Sequence, residues 1–149
     1  MIRQALIEDI DQLIEMLHRY KLATPLECLK DANETTARKI LDMIFTKNNG
    51  IILVSTDSRG DLTGFLIAIK NFNIWDQTKF CMNELAYWVN PEARGTSAGY
   101  RLLKTYVDIA TIMKNSGEIT YFTMSKMINS PDLNYERFGF KKLEETWSN

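Results

Sequence analysis

The sequence has 149 residues, 45% apolar and 25% charged, and its 18 basic and 19 acidic side chains leave a net charge of −1. That is the length of one domain, residues 1–149, with a hydrophobic core that needs neither metal nor disulfide. The balanced charge lacks the basic excess of a nucleic-acid surface, no apolar run is long enough to cross a membrane, and the acid-bearing start "MIRQALIEDIDQ" lacks a secretion-signal core.

In chain order, "MIRQALI" reads as a first strand. Asp9 can cap a helix whose Ile10, Leu13, Ile14 and Leu17 form one apolar stripe. His18, the only histidine, lies on that helix as a surface or packing residue, which leaves no multi-histidine zinc site. Residues 21–33 are irregular, broken by Pro25, with room for one helical turn. Cys28 and the distant Cys81 have neither metal nor CxxC spacing, so no metal is expected, and reduced thiols suit a cytoplasmic protein. "ETTARKILDMIFTKNNG" is a second amphipathic helix, with Asn49-Gly50 as its left-handed stop. Two apolar runs around "DSRGD" form a hairpin, and "KFCMNELAYWVN" is a further strand. A long helix runs from about Ser97 to Asn115, then "EITYFTMSKM" is a strand. Ser130 and Pro131 open a short helix that Gly139 ends, and "FKKLEETW" is a final strand. The order β-α-α-β-β-β-α-β-α-β predicts one α/β or α+β domain, with helices on both faces of a mixed sheet.

"NPEARGTSAGYRLL", residues 90–103, joins a strand to the long helix with small residues. Such a junction aims unpaired backbone N–H groups, and the positive end of the helix dipole, at one spot where an anion can sit. Arg94 adds a fixed charge. The stretch is not a P-loop, since no Lys-Ser/Thr follows Gly99, and it lacks the three glycines of a dinucleotide fingerprint. Taken alone, it is either a pyrophosphate cradle or an ordinary turn.

In its place among the elements, this stretch resembles the acetyl-coenzyme A (acetyl-CoA) site of the GNAT family of N-acetyltransferases. That family carries Q/R-x-x-G-x-G/A after its fourth strand. Arg94 and Gly99 match, and Ser97 stands where the middle glycine would be, although Ser is restricted at positive φ. "ELAYWVNPEARG" is similar to the family's fourth strand, and "LNYERFGF" to its C-terminal signature. The family's Asn, seven residues before that Tyr, falls here on Ile128, with Asn129 one place on. The resemblance implies that Arg94, Gly95, Thr96, Ser97, Ala98 and Gly99 hold the pyrophosphate and that Asn129 adds a contact. Trp88 and Val89 would present backbone groups to the pantetheine arm in a split between strands four and five. Tyr135 would be the acid that protonates the departing thiolate. Glu84 is the candidate base, as a carboxylate in an apolar strand that alternates with Ala86 and Trp88 on one face; a solvated strand end would explain it equally. The acceptor would be a small-molecule or peptide amine, with Phe72, Trp75 and Phe80 either walling its pocket or packing under their loop. A homodimer is expected from the family alone. A GNAT-fold module that binds an acyl-CoA without catalysis, or serves only for contacts, remains the rival reading.

Overall fold

The computed structural model describes residues 1–131 and 133–149. Five strands form one sheet in the order β1 (Ile2–Gln4), β2 (Gly50–Thr56), β3 (Leu62–Phe72), β4 (Phe80–Val89) and β5 (Tyr121–Thr123). Neighbours are antiparallel except β4 and β5, which run parallel. A parallel pair needs a crossover, and helix α3 (Ala98–Asn115) provides it. Helices α1 (Ile10–Ala23) and α2 (Thr35–Lys47) precede β2.

The alternation of β3 makes two cores. Phe65 and Ile67 face α1 and α2 beside Leu13, Ile14, Leu41 and Ile44. Leu66 and Ala68 face the other way, onto Leu102, Leu103, Tyr106 and Ala110 of α3. The sheet is thus buried on both sides, as the mixed α/β reading requires.

Four details differ from the sequence reading. The left-handed stop of α2 is Asn48, at φ 50°, and Gly50 already belongs to β2. Asp9 directs its carboxylate backwards, to Leu6 N–H at 2.7 Å and to the Arg3 guanidinium at 2.6 and 2.9 Å, so it braces the turn before α1 rather than capping α1. No helix opens at Ser130 and Pro131; a single 3-10 turn forms later, at Tyr135–Phe138, where Asn134 accepts from Arg137 N–H, while Asp132 lies outside the described residues. Residues 141–149 form no strand and are exposed. The strand expected at "FKKLEETW" needs a partner edge, and β5 offers three residues. Phe140 packs instead edge-on to Phe122, ring centres 5.6 Å apart.

Candidate active site

The β4–β5 ladder covers Cys81, Met82 and Asn83 and then stops, whereas β4 stays paired to β3 through Val89. From Glu84 onward the outer edge of β4 is open, and a split results. The buried Tyr106 marks its base, with its hydroxyl 3.1 Å from Thr123 O and 3.4 Å from Met82 O.

Glu84 is the first residue past the ladder. A bulge leaves Leu85 without a β3 partner: Ala86 lies opposite Ile67, and Glu84 opposite Ala68. Glu84 therefore does not share a face with Ala86 and Trp88, as unbroken alternation predicts; its cross-strand neighbour belongs to the α3-side core. Its carboxylate spans the split and accepts from Ser125 N–H at 3.1 Å. Burial pushes the acid up to about 7, against the lowering effect of that hydrogen bond.

Tyrosines surround the carboxylate. Burial above all, with Glu84 and Tyr135 adding to it, pushes Tyr20 up to about 12. Burial likewise raises Tyr87, with Tyr135 and Glu84 adding to the effect. Glu84 and Tyr135 thus act on the same two phenols, one on each side of the sheet edge. Tyr135 begins the 3-10 turn and leans on Phe140, at 6.1 Å between ring centres. Tyr20 and Tyr87 were not singled out by the motifs. Tyr20 extends the α1 stripe by one turn beyond Leu17, and Tyr87 lies inside the β4 run, so both read as core.

At the end of β4, Asn90 N–H donates to Thr63 O at 2.9 Å. In an antiparallel ladder, Trp88 then also turns its backbone groups to β3, and Val89 turns its own to the open side. Of the two expected backbone contacts, only Val89 faces the split. The Val89 carbonyl accepts from Arg94 Nε at 3.1 Å, while the Arg94 guanidinium lies 4.6 Å from the centre of the Trp88 ring. The Trp88 ring packs on Tyr20, and its Nε1 donates to Asn90 Oδ1 at 3.0 Å.

The junction to α3 then follows. Pro91–Ala93 make one 3-10 turn, held to α1 by Arg19 and Glu92 at 2.8 Å. Gly95 takes φ 84°, which only glycine adopts freely. Ser97 sits at φ −77°, so the missing middle glycine leaves no strain. Thr96 Oγ1 donates to Ala93 O and accepts from Ala98 N–H. The N–H groups of Gly99 and Tyr100, in the first turn of α3, have no intrahelical partner.

Asn129 is not brought here. Its side chain donates to Ala23 O at 2.8 Å and ties the segment after β5 to the end of α1. Phe72 and Trp75 are exposed to solvent at the β3–β4 tip. A cavity of about 560 Å³ lies outside the split, between the β2–β3 hairpin and the α3 junction. Its lining includes Ser55, Thr63, Thr96, Ser97 and Arg101, but neither Glu84 nor Tyr135. Among the described residues, no cluster of three or more His, Cys, Asp or Glu is placed to hold a metal ion.

The family model for acetyltransferases of the GNAT type matches residues 10–140. The chain belongs to the GNAT family. Solved GNAT-like folds superpose over the whole chain. One is the glucosamine-6-phosphate N-acetyltransferase of Arabidopsis thaliana, at TM-score 0.71 and 16% identity, with 96% of that chain covered. Another is a GNAT family acetyltransferase of Staphylococcus aureus, at 0.64 and 19%, with 96% covered. A third is described as a transcriptional regulator of Bacillus halodurans, at 0.72 and 19%, with 97% covered. At these identities the likeness concerns the fold. No curated protein matches the sequence. Membership in the GNAT family supports acyl transfer as the general chemistry of the chain.

Proposed function

We propose that the protein moves the acetyl group of acetyl-CoA to a primary amine by direct attack within a ternary complex. The observation that carries this reading is Glu84: a half-buried carboxylate, raised to about 7, at the point where β4 and β5 part. The chain's groups suit the coenzyme. The Val89 N–H has no β5 partner, and a pantetheine amide can pair there as an added strand would. Gly95 and the first turn of α3 suit the pyrophosphate, with Arg94, Thr96, Ser97 and Ala98 around it. The coenzyme supplies a thioester carbonyl open to attack and a thiolate able to leave.

The chain must move two protons. An alkylammonium, with a pKa of about 10.4, must lose one before it can attack. Glu84 takes it, directly or through one water. An acid at about 7 rather than 4.5 stands roughly 3 kcal/mol closer to that task. The amine nitrogen then bonds to the acetyl carbon, and the carbon–sulfur bond breaks. Val89 N–H steadies the charge on the carbonyl oxygen. Tyr135 gives its proton to the departing sulfur, and the second proton that the nitrogen sheds on becoming an amide returns through water to the Tyr135 phenolate. Trp88 supports this arrangement through its ring, and Asn129 shapes the acceptor side by holding the segment after β5. Cys28 and Cys81 are both free thiols, which suits the reducing cytoplasm.

The test is free-thiol release from acetyl-CoA across a panel of primary amines and basic peptides. Turnover should rise with pH through about 7. Coenzyme binding with no turnover on any amine would favour the non-catalytic module instead, and no coenzyme binding would defeat both readings.

A further inference from the structure

Gly99 lies in the first turn of α3 and has no positive φ, so the helix does not require glycine there. Space does. A Cβ on Gly99 would stand 3.0 Å from Tyr87 Oη and 3.6 Å from Val89 Cγ2. The Tyr87 hydroxyl comes this close because it donates to Gly99 O at 2.7 Å. Tyr87 itself sits on the open half of β4, between Glu84 and Val89, where no β5 residue pairs.

We infer that Tyr87 is a positioning residue for coenzyme binding, its hydroxyl clamping the first turn of α3 to the open half of β4. The clamp sets the separation between Val89 N–H and the N–H groups of Gly99 and Tyr100. Those are the two places that would hold opposite ends of one pantetheine pyrophosphate, so the inference rests on the coenzyme reading above. Tyr87 touches neither end. Gly99 is then small to admit a tyrosine of this chain, not a phosphate. Burial raises the Tyr87 phenol, which keeps it a proton donor at any working pH.

The test uses coenzyme A titrated calorimetrically into the full chain, together with steady-state kinetics on a working amine. Tyr87→Phe keeps the ring and removes the clamp. It should raise Kd for coenzyme A and KM for acetyl-CoA about five- to tenfold, the effect of one neutral hydrogen bond, with KM for the amine and kcat held within about twofold. Gly99→Ala should weaken coenzyme binding in the native background and have no further effect in Tyr87→Phe, where the clashing oxygen is gone. Unchanged affinity in Tyr87→Phe overturns the clamp. So does equal weakening by Gly99→Ala in both backgrounds, which would put the need for glycine on the ligand side. If Gly99→Ala does not fold, the KM-against-kcat split of Tyr87→Phe decides alone. Failure of the native chain to bind coenzyme A overturns the coenzyme reading itself, a result distinct from either.

Discussion

At Glu84 the desolvation that suits the proposed proton transfer works against folding. An acid whose folded pKa is raised stabilises the fold below its ordinary value of 4.5, and that advantage is lost as pH climbs to about 7. Glu84→Gln should therefore be more stable than the native chain at pH 8, by roughly 2 kcal/mol, with the difference vanishing near pH 4. Thermal unfolding at both pH values checks this. The same variant should lose about a hundredfold in kcat and lose the rise in rate through pH 7, the usual scale for a missing general base. Tyr135→Phe should slow kcat by a similar factor while leaving coenzyme A affinity intact, as calorimetry beside thiol-release kinetics would show. Both residues were legible in the sequence, Glu84 as a carboxylate in an apolar strand and Tyr135 from its place before Gly139-Phe140. Their surroundings were not. Counting by twos put Glu84 with Ala86 and Trp88, and one bulged residue, Leu85, undoes that count. Tyr20 and Tyr87 matter only because α1 brings Tyr20 to the strand edge that carries Tyr87, which no local pattern records.

Among the elements, the β4–α3 junction shows how a motif can depart from its pattern and keep its shape. The positive φ falls on Gly95, whereas Ser97 lies in ordinary backbone space. Gly95→Ala should cost about 1 kcal/mol of stability and weaken coenzyme A binding, while Ser97→Gly should improve neither. Denaturant unfolding and calorimetry on the two variants give the comparison. The strand–helix order around this junction was legible, since β4 and α3 have long, clear periodicities. The C-terminal region was not. A strand at 140–147 depends on an edge to pair with, and the three-residue β5, buttressed by Phe122 on Phe140, leaves none. A helix at Ser130-Pro131 depends on more than a cap and a proline, and Gly139 comes too soon after the turn at Tyr135 for a second turn to form.

At the scale of the molecule, one topological fact organises the site. β2, β3 and β4 pair antiparallel over long stretches, while β1 and the one parallel neighbour, β5, are each held for three residues, and the chain after β5 then parts from β4. Amide exchange should reflect this, with β1 and β5 protected less than β2, β3 and β4 and added coenzyme A slowing exchange at Val89 and at the start of α3. The same fact separates two possible homes for the coenzyme: the split beside Glu84, and the 560 Å³ cavity between the β2–β3 hairpin and the α3 junction, which shares Thr96–Ala98 with it. A crystal structure of the protein with coenzyme A decides between them. The pantetheine should lie along the open edge of β4, its sulfur beside Val89 and between Glu84 and Tyr135, and its pyrophosphate at Gly95–Gly99. Coenzyme seated in the hairpin-side cavity, with the split empty, would overturn the proposed site.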